Sequence, residues 1–309
     1  MDQTLDIIRQ NISRKLVGKE RVVDLLLCAL ICRGHVLIED VPGTGKTTLA
    51  SALAHSLGCS FQRIQFTPDI MPSDITGFSI PDPVTKKFTY IPGALMHQIV
   101  LADEINRTSP KTQSALLEAM QENQVTVDGR THPVPLPFMV IATQNPIEHA
   151  GTFSLPEAQL DRFFMHLRLG YPTLEEEMHI LNMHDNGGPP ADLSAVITAD
   201  GVLRLQKAVD SVHASTALKE YISDFVARTR KHPAISLGVS TRGAINLMCA
   251  AKGYAFLRGR GYATAEDVQR LALPVLAHRI KLTSEARMKR HTPESILRRI
   301  LEDAMLPEA

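Results

Sequence analysis

The chain has 309 residues, with 33 Lys+Arg balanced by 33 Asp+Glu, 12 His, 4 Cys, no Trp and a hydrophobic content of 44%. A disordered chain would be poorer in apolar residues or carry a charge excess, and a disulfide scaffold would be far richer in cysteine, so an ordinary globular protein is expected. Two domains are favoured at this length, and net neutrality argues against a chain devoted to non-specific phosphate binding.

The segment MDQTLDIIRQNISRK carries acids from Asp2 onward and no apolar run before a small-residue cleavage site, so no signal peptide is predicted. The longest apolar run, Leu25 to Cys32, is well short of the roughly 20 residues that a membrane span needs. A cytoplasmic location is expected. Leu5, Ile8 and Ile12, then Val22, Val23, Leu26, Leu27 and Leu30, recur at helical spacing. Cys28 and Cys32 lie inside that pattern, while Cys59 and Cys249 stand alone, so the cysteines read as buried thiols rather than a zinc site.

After Gly34 the pattern changes to a short strand, His35 to Glu39, then a turn with Pro42, Gly43 and Gly45, then a helix that ends at Gly58. Strand, glycine turn and helix make one unit of a parallel α/β sheet. Phe61–Gln65, Ile99–Ala102, Phe138–Ala142 and Phe163–Leu169 are further apolar runs of the kind that buried parallel strands show, and Pro110–Gln124 is a helical stretch between them. From about Tyr171 strand signals fade into amphipathic helical segments that begin near Leu174, Asp200, Leu218, Thr241, Ala265 and Pro293. Asn186–Asp192 is the most linker-like stretch. Residues 251–309 hold a slight basic excess, which fits solvated helix faces or a subunit or adaptor surface.

Two stretches carry chemistry. DVPGTGKTT, Asp40 to Thr48, has the small residues that let consecutive backbone N–H groups converge on phosphate oxygens, a lysine for the β and γ phosphates, and a hydroxyl for Mg2+. The strict pattern has glycine where this chain has Asp40, but Gly43 to Thr47 keep the nest. In the second stretch the apolar run from Ile99 ends in Asp103 and Glu104, as a nucleotide hydrolase requires: one carboxylate to hold Mg2+ through water, one to polarise the attacking water.

With these blocks in view the chain resembles the MoxR family of AAA+ ATPases over nearly its whole length. The matching blocks are VGKE (Val17 to Glu20), LIEDVPGTGKTTLA, FTPDIMPSDITG (Phe66 to Gly77), PGALMHQIVLADEINRTSPKTQSALLEAMQE, ATQNP (Ala142 to Pro146), GTFSLPEAQLDRF (Gly151 to Phe163) and STRGA (Ser240 to Ala244). The resemblance implies an α/β P-loop core over residues 1–172, a parallel sheet sandwiched by helices, followed by an all-α lid over residues 173–309. The core would contain a helix-2 insert at about 66–98 and a pre-sensor 1 hairpin at about 125–137, both facing the pore of a ring. As bare sequence these are surface insertions, the second with the tight-turn pair Asp128-Gly129.

The resemblance also implies roles for single residues. Pro42, Gly43, Thr44, Gly45, Lys46, Thr47 and Thr48 would bind ATP or ADP, with Thr47 and Asp103 at the Mg2+ and Glu104 as catalytic base. Val17 and Gly18 would wrap the adenine, although a loop between two helices explains them as well. Asn145 resembles sensor 1, or is a turn residue before Pro146. Arg162 resembles the arginine finger that reaches the neighbouring subunit's nucleotide, unless Asp161 pairs with it locally. Arg242, on the lid, resembles sensor 2, acting within its own subunit or across the interface. Arg107 could contact a neighbour or cap a surface turn.

The resemblance implies a ring-forming ATPase, a hexamer that couples Mg2+-dependent hydrolysis to chaperone-like remodelling, assembly or metal and cofactor insertion in partner proteins, often with a von Willebrand factor A domain. A nucleic-acid motor is the alternative; the hairpin has Arg130 and His132 but no Lys/Arg cluster, so nucleic acid is not the expected partner. A non-hydrolysing ATP-gated scaffold is disfavoured because Glu104 and Asn145 are both present.

Overall fold

A computed structural model describes residues 3–81, 83, 87–146, 152–185, 187–188 and 193–304. The linker-like stretch 186–192 therefore lies almost wholly outside the described residues, as does Gly151 of the GTFSLPEAQLDRF block.

The chain opens with α1 (Gln3–Ser13) and α2 (Glu20–Ile31), and then β1 (Val36–Glu39) leads through the glycine turn into α3 (Lys46–Ser56). There follow β2 (Phe61–Gln65), the short α4 (Pro72–Thr76), the strands β3 (Gly77–Pro81) and β4 (Phe88–Pro92), β5 (Ile99–Asp103) and α5 (Pro110–Glu122). A second ribbon, β6 (Gln124–Val127) and β7 (Arg130–Pro133), precedes β8 (Met139–Gln144), α6 (Glu157–Leu160) and β9 (Met165–Leu167). Five of these strands form one parallel sheet in the order β2-β5-β8-β1-β9.

The apolar runs are continuous because both faces of the sheet are covered. Val36, Ile38, Ile99, Leu101, Met139 and Ile141 point to a cluster built with α2 and α3, and Leu37, Val100, Ala102, Val140 and Ala142 point to another with α5 and Phe66. Alternate residues thus serve opposite cores, each large side chain contributing about 1.5–3 kcal/mol when fully buried.

Beyond the sheet come α7 (Leu174–Asp185), α8 (Ala199–Asp210), α9 (Thr216–Lys231), β10 (Ile235–Leu237), α10 (Thr241–Leu257), α11 (Ala265–Leu276), β11 (Lys281–Leu282), α12 (Ser284–Met288) and α13 (Pro293–Glu302). This is the expected helical lid, with one element that periodicity does not reveal: β10 and β11 pair as an antiparallel ribbon, Ile235 opposite Leu282 and Leu237 opposite Lys281. The strands are too short for an alternating pattern to stand out. The lid and the sheet share one apolar cluster through α2, nine of whose residues are buried. Gly253 of α10 permits that approach, since a Cβ there would stand 2.3 Å from Cys32 Sγ and 3.2 Å from Cys28 Sγ.

The insertions pack on each other. Tyr90 of β4 stacks on His132 of β7 with ring centroids 3.8 Å apart, and its hydroxyl donates to Thr76 O at 2.6 Å. Asp128 and Gly129 both adopt positive φ at the tip of the β6–β7 hairpin, as a tight two-residue turn requires. Among the described residues no helix is long and apolar enough to cross a membrane.

Candidate nucleotide site

In an open parallel sheet the crevice beyond the carboxyl ends of the strands is where ligands bind. Register brings the expected residues there together. Glu39 pairs with Gln144 across β1 and β8, and Asp40 N donates to Gln144 O at 3.2 Å. Ala102 pairs with Ala142 across β5 and β8, so Asp103 arrives beside Thr143, two residues before the 6% exposed Asn145. The glycine turn therefore emerges next to Asn145 on one side, with the Asp-Glu pair one strand further.

The turn has the conformation of an anion nest. Gly43 and Gly45 have φ of +83° and +88°, and α3 starts at Lys46, so the helix's unsatisfied N–H groups open toward the turn. A Cβ on Gly43 would meet nothing within 4 Å, whereas one on Gly45 would stand 3.0 Å from Leu16 Cδ1. That contact places Leu16 alongside the loop, while Gly18, two residues on, lies against the Glu176 side chain. Lys46 Nζ donates to Asp40 O at 2.7 Å and to Val41 O at 3.1 Å, spanning the mouth of the turn.

Asp40 has a task of its own. Its Oδ2 accepts from Leu169 N at 2.7 Å and Gly170 N at 2.6 Å, and its Oδ1 from Val41 N at 2.8 Å. The carboxylate ties the loop to the chain leaving β9. Asp40 is not among the positive-φ residues, so the glycine of the strict pattern is not needed there for backbone reasons. Next to it, His166 and then Arg168 hold the Glu39 carboxyl down at about 2.

Asp103 and Glu104 are held by residues that sequence reasoning missed. Thr143 Oγ1 donates to Asp103 Oδ1 at 2.6 Å while accepting from Glu104 N at 2.9 Å. Arg63 of β2 donates to Asp103 Oδ2 through Nη2 at 2.7 Å and Nε at 3.2 Å. The Glu104 carboxylate accepts from Gln65 Nε2 at 2.7 Å and Arg107 Nη1 at 3.0 Å. Arg107, open between a neighbour contact and a surface cap in the sequence, is thus paired with Glu104. Glu104 itself has φ of +59°, a left-handed backbone that a non-glycine residue keeps only where its surroundings impose it. A threonine two residues before Asn145 on the adjacent strand was the only trace of this network in the sequence.

Arg162 and Arg242 take no part in this hydrogen-bond network. Arg162 is half-buried and Arg242 exposed, and neither side chain makes a hydrogen bond or ion pair with a described residue. The local alternative for Arg162 is not realised, because Asp161 is engaged elsewhere: Arg279 Nη1 donates to its carboxylate and Ser240 Oγ donates to the same group. Burial lowers the Arg279 pKa from its ordinary value against the pull of Asp161, and the nearby charge of Arg242 adds to the lowering.

Mg2+ binds few protein ligands and prefers hard oxygens. Thr47 and Asp103 supply that donor chemistry, and among the described residues no cluster of three or more His, Cys, Asp or Glu could hold a metal by itself. The arrangement can hold polyphosphate on a nest, accept a cation at Asp103 and present a carboxylate and an amide at the far end of the chain of phosphates.

Known proteins resemble this chain over most of its length. The ATPase family associated with various cellular activities (AAA) matches residues 35–165, and the AAA lid domain matches residues 227–300. The uncharacterized protein YeaC of Bacillus subtilis is 51% identical over 96% of this chain and 93% of its own. Chaperone MoxR1 of Mycobacterium tuberculosis is 39% identical over 99% of this chain and 83% of its own. A crystal structure of a candidate ATPase from Cytophaga hutchinsonii superposes with a TM-score of 0.92 at 36% identity, covering 99% of this chain and 96% of that one.

Proposed function

Because the chain belongs to the MoxR family of AAA+ ATPases and hydrolyses ATP, we propose that the groups gathered at the carboxyl ends of β1, β5 and β8 carry out that hydrolysis. The observation that supports this most is the in-register convergence of the Asp40–Thr48 loop, Asp103–Glu104 and Asn145 on one edge of the sheet. Pro42, Gly43, Thr44, Gly45 and Thr48 cradle the phosphates with backbone groups, and Val17 and Gly18 flank the base. Lys46 exchanges the carbonyls of Asp40 and Val41 for β and γ oxygens. Thr47 and, through water, Asp103 would hold Mg2+, which when bound supplies charge neutralisation of the phosphates.

Glu104 polarises the lytic water after turning away from Gln65 and Arg107, and Asn145 orients that water. Arg162 reaches the nucleotide of the adjacent subunit and stabilises charge on the transferred phosphoryl group, while Arg242 carries nucleotide state into the lid. The working form is then a ring, a hexamer, that acts in the cytoplasm. It spends ATP on chaperone-like remodelling, assembly or metal and cofactor insertion in client proteins, some bearing a von Willebrand factor A domain.

The test is Glu104→Gln: ATP binding and assembly persist while turnover falls by about 10²–10⁴, the usual weight of a positioned general base. Steady hydrolysis by this variant would sink the assignment. Mixing Arg162→Ala with Lys46→Ala subunits tests the ring, since each contributes one intact half-site and activity recovers only if Arg162 works across an interface. Capture with Glu104→Gln, which holds ATP, identifies the client; a partner without a metal-ion-dependent adhesion site argues against the von Willebrand factor branch.

A further inference from the structure

The Arg279 side chain is fully buried, and its donors are spent on the segment that carries Arg162. Nη1 donates to Asp161 O at 2.7 Å as well as to the Asp161 carboxylate, and Nη2 donates to the carbonyls of Phe163 and Phe164. Nε returns to Val275 O at 2.7 Å within the lid. His278, the preceding residue, adds its own contact to Phe163 O at 3.2 Å. Asp161 is gripped from a second side by Ser240 Oγ, at 3.2 and 3.1 Å from its two carboxylate oxygens. The same hydroxyl accepts from Gly243 N at 3.1 Å and so caps α10, whose second residue is Arg242.

A buried ion pair contributes little net stability once both charges have been desolvated, so its value lies in what it orients. Here that is the Asp161–Arg162 peptide plane. The Asp161 carbonyl held by Arg279 belongs to the same rigid unit as the Arg162 amide, so fixing one also places the Arg162 Cα from which its side chain departs. At the other end, Ser240 is one residue before the first turn of the helix bearing Arg242.

We propose that Asp161, Ser240 and Arg279 form a relay that couples the orientation of Arg162 to the position of Arg242 in the same subunit. This deepens the proposed function and rests on its assignment of Arg162 and Arg242. Nucleotide sensed by the lid of one subunit then sets how well that subunit's Arg162 serves its neighbour, and adjacent sites become coupled around the ring. The three are positioning residues, since their hydrogen bonds are spent on one another and on the segment that carries Arg162. By linkage, any part of the coupling that changes nucleotide affinity is reciprocal between the two sites, whereas the part that changes turnover need not be.

Three full-length variants test the relay: Asp161→Ala, Arg279→Lys and Ser240→Asp. The last keeps a helix cap and the Arg279 pair but sets a like charge against Asp161, so it remains informative if either of the others fails to fold. Affinity for a fluorescent ADP analogue, kcat, KM and the Hill coefficient for ATP are measured together. The expected result is ADP affinity within about 3-fold of wild type, kcat reduced by roughly 5- to 150-fold as for a typical intersite coupling, and a Hill coefficient that falls to about 1.

Wild-type kcat and cooperativity in Ser240→Asp, or ADP affinity falling in step with kcat, would reduce the three residues to a domain staple and overturn the relay. So would a wild-type ring with a Hill coefficient of about 1. Arg162→Ala in parallel separates the two layers. If it retains full turnover, the underlying assignment fails; if it abolishes turnover while Ser240→Asp keeps its cooperativity, only the relay fails.

Discussion

Replacing Asp40 by the glycine of the strict phosphate-loop pattern is expected to weaken the protein rather than improve it. The carboxylate accepts three backbone N–H bonds, from Val41, Leu169 and Gly170. A hydrogen bond to a charged group has a net worth of about 1.5–3 kcal/mol, and three on one carboxylate do not add independently. Val41 is half-buried and Gly170 exposed, so water can replace part of the loss there, but Leu169 is 7% exposed and its buried N–H donates to Asp40. Stranding that donor costs about 1–3 kcal/mol, and the freer glycine backbone adds about 0.5–1 kcal/mol.

The expected total for Asp40→Gly is about 3 kcal/mol. With a urea dependence near 3 kcal/mol per M, the unfolding midpoint moves down by about 1 M with an unchanged slope. Asp40→Asn, which keeps one acceptor oxygen, falls between. Urea titration at neutral pH followed by far-ultraviolet circular dichroism makes the measurement. A midpoint for Asp40→Gly equal to or above that of wild type would refute the reasoning, because the three contacts would then contribute nothing.

Three further outcomes follow from the same geometry. His35 accepts from Val140 N at Nδ1 and faces Met120 O at Nε2, both at 2.9 Å, and burial pushes its pKa down from 6.5 to about 4. The unfolded chain takes up that proton first, so stability is full above about 6.5 and is lost toward pH 4, by about 3 kcal/mol in all; His35→Gln should flatten urea midpoints in that window, and an equal slope would count against it. The Glu39 contribution is present above about 4.5 and lost as pH falls toward 2, so the two windows are separable. Gly45→Ala should cost about 1–2 kcal/mol, from φ of +88° and the 3.0 Å approach of Leu16, read as a lowered thermal midpoint; no change would remove the conformational argument. Arg63→Gln removes a half-exposed cation from Asp103 at a stability cost below about 1 kcal/mol and should lower the Mg2+ concentration for half-maximal ATPase by a few fold, whereas a higher requirement would show that Arg63 assists the site.

The parts of the fold that were legible in the sequence are those written locally. Ile99–Ala102 and Phe138–Ala142 read as strands because central parallel strands bury both faces, and the turn from Pro42 to Thr48 because a phosphate nest demands glycine, lysine and hydroxyl at close spacing. What stayed hidden depends on strand order. Arg63 meets Asp103 only because β2 lies beside β5, and Thr143 joins Asp103 to Glu104 only because β8 lies on the other side. Asp161 next to Arg162 invited a local pair, and its real partner, Arg279, is 118 residues away. No periodicity or spacing rule carries such a contact.

The small ribbon in the lid gives that long-range contact a mechanical character. Ser240 follows β10 by three residues and Arg279 precedes β11 by two, so both side chains that hold Asp161 hang from one crossbar. The ribbon therefore fixes the spacing between the two backbones from which Asp161 is gripped. Attachment of lid to core at this point is then made through one support, so a displacement of the ribbon would shift both grips on Asp161 together. A shared support of this kind would carry lid movement to the Arg162 segment as one displacement rather than two.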